Sequence, residues 1–241
     1  MPSSQSGSAN VLSSEAAVKQ LLSQRAAPPR RRSLAIALTS WIGTLLLMCS
    51  PASFAADGEK LFAQCAACHG KKGEGSTTLN APAIAGQEAA YIERQMHNYR
   101  SRLRGDGKSD GLAAQMQAAA TALADDEAVA KVASYVANLP KTVHAAPTPG
   151  NLHNGNNLYQ GKCGACHGGR AEGNPALKAP RLTGLDAPYL KRQFAYFRDG
   201  VRGTHPQDIP GRQMAMMAKT LASQRDLDDI IAFIHSLGRP K

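Results

Sequence analysis

Cys65-Ala66-Ala67-Cys68-His69 decides how the rest of the chain is read, because Cys163-Gly164-Ala165-Cys166-His167 repeats its pattern. C-x-x-C-H is the attachment signature of a c-type haem: two thiols bond the porphyrin and the next residue ligates the iron. One helical turn separates the two sulfurs, so both reach one edge of the macrocycle, and the following imidazole turns under the metal. A zinc site that joined the two copies would need C-x-x-C pairs about 15–20 residues apart. Here 94 residues separate Cys68 from Cys163. The pattern therefore predicts two covalent haem c groups with their iron, leaving zinc or a thioredoxin-like pair as the minor reading.

The motif is one part of a larger duplication. Adding 98 to a position in the first half lands on its counterpart without a gap from Cys65 onward. Glu74-Gly75 maps to Glu172-Gly173, Ala81-Pro82 to Ala179-Pro180, and Gly86 to Gly184. Tyr91, Arg94, Gln95 and Arg100 map to Tyr189, Arg192, Gln193 and Arg198. Just before the first cysteine the register differs by one: Leu61-Phe62-Ala63-Gln64-Cys65 stands against Leu158-Tyr159-Gln160-Gly161-Lys162-Cys163. The expected organisation is a first domain over 57–143, a proline-rich linker over 144–151 and a second domain over 152–241.

Residues 1–55 read as a secretory signal. The basic cluster Arg30-Arg31-Arg32 precedes an apolar run from Leu34 to Met48, and Ser53 and Ala55 sit where cleavage needs small residues. The run is shorter than a spanning helix requires, so an uncleaved anchor is the lesser alternative. Cys49 would suit a lipoprotein, but Met48 before it is a poor cleavage residue. The arginines also suggest twin-arginine export. A haem protein assembled after export need not travel folded, which favours the general secretory route. Of five cysteines, Cys49 leaves with the signal and four sit in the haem motifs, so no thiol remains for a disulfide or a nucleophile.

Aromatic residues make up only 5% of the chain, and a buried haem would supply apolar volume they do not. The formal charge of +10 suggests an acidic partner, a membrane surface or nucleic acid. No nucleic-acid-binding motif accompanies it, so nucleic acid is excluded. Apolar spacing predicts three helices with long loops per repeat and no strands, an all-α class. The first helix runs Gly58 to Cys68 and Gly155 to Cys166; the second starts near Gln87 and Asp186. The third follows Asp125 and Ser223, with stripes Val129-Val132-Ala133-Val136 and Leu227-Ile230-Ile231-Ile234.

Of seven methionines only Met116 and Met214 are related by the offset, both in M-x-x-x-A-x-x-L. They are the candidate sixth ligands opposite His69 and His167, since Met/His is an established haem c ligation and the soft thioether favours ferrous iron. Met96, Met216 and Met217 read as gap-filling core.

With A-P-x-I/L-x-G, Y-I/L-x-R-Q and M-x-x-x-A-x-x-L in both halves, the mature chain resembles a dihaem cytochrome of the cytochrome c4 family, two class I cytochrome c domains in tandem. The resemblance implies that each domain is a small three-to-four-helix fold around its haem, and that the Pro82 and Pro180 carbonyls accept from His69 and His167 Nδ1. It implies single-electron transport in the periplasm, often with peripheral membrane association. The redox partners would be a membrane-bound quinol oxidoreductase and a terminal oxidase. With both irons six-coordinate the chain is expected not to be an enzyme. The rival readings are the cytochrome subunit of a periplasmic dehydrogenase, such as a sulfide-oxidising flavocytochrome, and a dihaem peroxidase, which would need an open position.

Other residues are expected to be less informative. His97, His144, His153, His205 and His235 have no offset partner and read as surface or linker. Arg94/Arg192 and Arg100/Arg198 recur and are candidates for haem-propionate contact, with solvated helix faces as the equal alternative. Arg100, Arg102, Arg104 and Lys108 read as a solvated loop cluster. Residues 57–146 carry ten basic and ten acidic side chains, whereas 147–241 carry thirteen and seven, a net of +6. The haem at His167 is therefore expected to have the higher potential.

Overall fold

The computed structural model describes residues 51–105, 111–143 and 148–238; most of the signal-like segment, Lys108 and His144 lie outside them. Among the described residues there are nine helices and no strand. They are α1 (Pro51–His69), α2 (Ala89–Arg100), α3 (Gly111–Ala122), α4 (Asp126–Asn138), α5 (Leu152–Lys162), α6 (Gly164–His167), α7 (Ala187–Arg198), α8 (Ile209–Ala218) and α9 (Gln224–Leu237). The order α1–α4 recurs as α5 with α6, then α7, α8 and α9.

The last helix of each repeat starts where its capping residue requires. Asp125 accepts from Ala128 N at 2.8 Å to open α4, and Ser223 accepts from Asp226 N at 3.1 Å to open α9. Both helices bury the stripes read from the sequence. Each packs against its repeat's first helix through a glycine. A Cβ on Gly58 would stand 2.6 Å from Lys131 O, and one on Gly155 only 2.0 Å from Asp229 O. One turn along, Phe62 meets Tyr135 at 5.3 Å between centroids and Tyr159 meets Phe233 at 5.5 Å.

These equivalent crossings explain the one-residue difference in register. Seven positions separate Gly58 from Cys65, but eight separate Gly155 from Cys163. With both ends fixed, the extra residue is absorbed at Cys163 (φ −116°, ψ −39°), where the helix breaks into α5 and α6. The expected single helix from Gly155 to Cys166 is thus two, whereas α1 is continuous and begins at Pro51.

Each repeat also has a fourth helix where a loop was expected. α3 and α8 carry Met116 and Met214. Gly111–Ala122 is alanine- and glutamine-rich and uncharged, so intrinsic propensity forms a helix that apolar periodicity does not announce. In α8, Asp208 accepts from Gly211 N at 3.1 Å as N-cap, and Pro210 sits in the first turn. Met216 and Met217, read as core, are instead 64% and 40% exposed, because the neighbouring buried position of α8 is Ala218. Met96 is buried among Phe62, Tyr99 and Val129.

Candidate haem centres

His69 ends α1, and the chain reverses at once through Gly70 at φ +83°; His167 ends α6 and reverses through Gly168 at φ +82°. A Cβ at either glycine would fall 2.4 Å from the carboxylate of Glu74 or Glu172. That carboxylate accepts from Lys72 N or Arg170 N at 2.8 Å, which closes the turn and accounts for the recurring Glu-Gly. Gly75 N donates to His69 O at 2.7 Å, and Gly173 N to His167 O at 2.8 Å. Isolated bridges Ser76–Ala81 and Asn174–Ala179 pin the loop that follows. The result brings a proline carbonyl back to each imidazole: His69 Nδ1 donates to Pro82 O at 2.8 Å, and His167 Nδ1 to Pro180 O at 2.9 Å.

That bond fixes the tautomer and leaves Nε2 unprotonated. Burial holds both imidazoles below the ordinary histidine range, partly offset by the proline carbonyl. At neutral pH both rings are neutral, the form that ligates a metal. Among the described residues neither Nε2 has a hydrogen-bond partner. Burial pushes the Cys65 thiol up to about 11, with Cys68 adding to it, and likewise raises Cys163 to about 11. Cys68 and Cys166 are exposed.

In the second repeat Cys163, Cys166, His167, Pro180 and Met214 border one apolar cleft walled by side chains of α7 and α9, including Leu190, Phe194, Ile230 and Ile234. Met217 borders it too. In the first repeat Cys65 of α1 and Met116 of α3 pack against the same buried cluster, with Ile84 and Ile92 beside them. Two thiols at one edge, a neutral imidazole with a free nitrogen, a thioether and apolar walls fit a haem held by covalent and axial bonds.

The repeats meet through a network of paired positions. Arg94 Nη2 donates to Lys178 O at 2.6 Å, and Arg192 Nη2 to Asn80 O at 2.8 Å. Arg104 and Arg202, 8% and 9% exposed, both donate to Gln95 and Gln193. They stack on Tyr99 and Phe197 at 4.6 and 4.4 Å. Gln87 and Arg181 exchange two 3.0 Å bonds, with no counterpart at Leu185 and Ala83. Tyr91, Arg94 and Gln95 of the first repeat thereby reach the cleft of the second.

Several expectations change here. Arg104 belongs to a buried interface, not a solvated loop, and Arg100 binds backbone carbonyls at the end of α3. Arg102 is exposed. His235 is buried at 5% exposure, with Nε2 donating to Leu185 O at 2.8 Å and Nδ1 paired with the Thr148 hydroxyl. The interface was findable: the same 98-residue offset pairs Arg104 with Arg202.

A model of the cytochrome c family matches residues 55–140 and again 152–238. Cytochrome c4 of Azotobacter vinelandii is 32% identical over 193 residues, covering 76% of this chain and 89% of that protein. A thiosulfate dehydrogenase electron acceptor of Stutzerimonas stutzeri is 31% identical over 190 residues, covering 70% and 83%. The crystal structure of reduced recombinant cytochrome c4 from Pseudomonas stutzeri superposes with a TM-score of 0.61 at 26% identity, covering 75% of this chain and 97% of that one.

Proposed function

The chain belongs to the cytochrome c4 family of dihaem electron-transfer proteins, which are not enzymes, and from that premise we propose that it carries single electrons between respiratory components in the periplasm. Its donor is a membrane-bound quinol oxidoreductase and its acceptor a terminal oxidase. The observation that carries this reading is the cleft shared by Cys163, Cys166, His167 and Met214, together with the 98-residue repeat of the same residue set. Bound haem supplies reversible one-electron exchange between ferric and ferrous iron.

The residues of the chain do the rest. His69 and His167 present a neutral Nε2, oriented by the Pro82 and Pro180 carbonyls. Met116 and Met214 would supply thioether ligands to the iron, and a soft thioether would favour the ferrous state. Cys65, Cys68, Cys163 and Cys166 hold the group covalently. The apolar walls of the second cleft would exclude water from the group held there. Export and cleavage near Ala55 place the mature chain in the periplasm, and its positive charge favours an acidic partner or the membrane surface.

A second reading, the electron acceptor of a periplasmic dehydrogenase, is favoured by the relative that accepts electrons from thiosulfate dehydrogenase. Two measurements test these readings. The oxidised protein should show the weak near-infrared sulfur-to-iron band, and its absence removes the two methionines as ligands. Membranes from the host should reoxidise the reduced protein in a cyanide-sensitive reaction. Oxidation that is absent from membranes, with reduction by a soluble dehydrogenase fraction, would establish the second reading instead.

A further inference from the structure

The two methionine-bearing helices are tied down differently, although the surrounding positions are paired by the duplication. In the first repeat Arg100, at the end of α2, reaches the C-terminal end of α3. Its Nε donates to Ala120 O at 2.8 Å, and Nη2 donates to Leu123 O at 2.5 Å and Asp125 O at 3.2 Å. Its Nη1 lies 3.0 Å from Asp126 Oδ1 at the start of α4. Ala120 O and Leu123 O are carbonyls that the end of α3 leaves without helical partners, and a cation there meets the negative end of that helix's dipole. Asp125 O is the N-cap carbonyl of α4 and also accepts from Val129 N. One side chain thus ties α2, α3 and α4 together.

Arg198 is its counterpart and makes none of these bonds. It turns to its neighbour Asp199, with Nε–Oδ1 at 2.8 Å and Nη2–Oδ2 at 3.2 Å. The sequence explains the switch. Asp199 stands where the first repeat has Ser101, and Gln224 stands where it has Asp126. The second repeat offers its arginine a nearer carboxylate and removes the one that would draw it inward. Among the described residues no side chain donates to Ala218 O or Leu221 O. Lys162 Nζ reaches only Thr220 O, at 3.2 Å and on the surface.

We propose that Arg100 is a positioning residue for Met116, and that the second repeat, without this clamp, holds the methionine that yields first to an added iron ligand. The inference rests on the reading of Met116 and Met214 as axial ligands. Releasing a thioether requires its helix to shift or fray at the end. In the first repeat that motion breaks the two charge-assisted bonds from Arg100 to Ala120 O and Leu123 O, and in the second it breaks no equivalent bond.

The test is an imidazole titration of the oxidised full-length protein, followed by the sulfur-to-iron band. The band should fall in two steps, and the step at lower imidazole should be missing in a Met214→His variant. Arg100→Met should move the second step to about tenfold lower imidazole or further, the loss expected from one charge-assisted hydrogen bond, and leave the first step in place. Asp199→Ser combined with Gln224→Asp rebuilds the first-repeat arrangement and should move the first step to higher imidazole, which keeps the proposal testable if Arg100→Met does not fold. A single step in the unmodified protein, the reverse order of steps, or a double variant without effect overturns the proposal. A protein with no such band at all overturns the methionine assignment instead.

Discussion

Arg104 and Arg202 occupy equivalent positions of the two repeats, and each guanidinium donates to the same two carboxamide oxygens. Gln95 Oε1 accepts from Arg104 Nη1 at 2.6 Å and from Arg202 Nη2 at 2.9 Å. Gln193 Oε1 accepts from Arg202 Nη1 at 2.7 Å and from Arg104 Nη2 at 3.0 Å. Two buried like charges thus face one another with amide oxygens between them, and neither forms a salt bridge with a carboxylate among the described residues. Such an arrangement is costly, and the four bonds to the carboxamides offset part of that cost. Arg202 also borders the cleft that contains His167.

Positive charge beside an iron centre disfavours the ferric state relative to the ferrous. Arg202→Met should therefore lower the potential of the second-repeat haem by about 60 mV, one tenfold change for a one-electron couple. Arg202→Lys keeps the charge but loses the planar fork, and should shift it less. Potentiometric titration of the three proteins checks this. Equal potentials in all three would show that the pair acts only as an interdomain fastening.

Gly155 sits where a side chain cannot go, since its Cβ would stand 2.0 Å from Asp229 O and 3.0 Å from the Phe233 Cβ. Gly155→Ala should force α5 away from α9 and cost about 1–3 kcal/mol, the usual penalty for overpacking. Gly58→Ala faces a wider gap of 2.6 Å to Lys131 O and should cost less. Denaturant unfolding of the haem-loaded protein measures both. A Gly155→Ala protein as stable as the parent would mean that the helices separate freely.

The contrast between readable and unreadable parts has a physical cause. α4 and α9 were legible because capping residues and apolar stripes at helical spacing mark them. The haem motifs and the offset methionines stood out because the duplication repeats them. α3 left no such mark, since its alanines form a helix by propensity without a distinct apolar face. The break at Cys163 followed from one extra residue, but its location depended on the fixed crossing at Gly155. Arg104 and His235 were misread because burial of a polar side chain depends on partners far away in sequence, here Gln193 at 89 residues and Leu185 at 50.

The basic cluster and the apolar run before Ser50 predict export and cleavage near Ala55. Intact-mass measurement of the protein from its host should give a chain beginning near residue 56 plus two haems. Replacement of Cys163 and Cys166 by alanine should remove one haem mass and leave the second repeat largely unfolded, because the apolar cleft they border would lose the group that fills it. A chain retaining Leu34 to Met48 in the membrane fraction would establish an anchor; among the described residues no helix is long and apolar enough to cross a membrane.

The two haems should differ in potential, with the higher one at His167. Residues 57–146 have a net formal charge of zero and residues 147–241 a net of +6. Exposed charges are screened beyond about 8 Å at physiological ionic strength, so most of this difference contributes little by itself. Among the buried cations Arg104, Arg181 and Arg202, which escape such screening, Arg202 borders the second cleft. Its counterpart Arg104 lies in the same network but does not border that cleft, so Arg202 is the unscreened charge that favours ferrous iron at His167. A potentiometric titration should resolve two one-electron steps. Met214→His replaces a soft thioether with a harder imidazole and should lower the higher of the two. If the lower step moves instead, the high-potential haem belongs to His69, and burial or hydrogen bonding around Met116 outweighs the charge asymmetry.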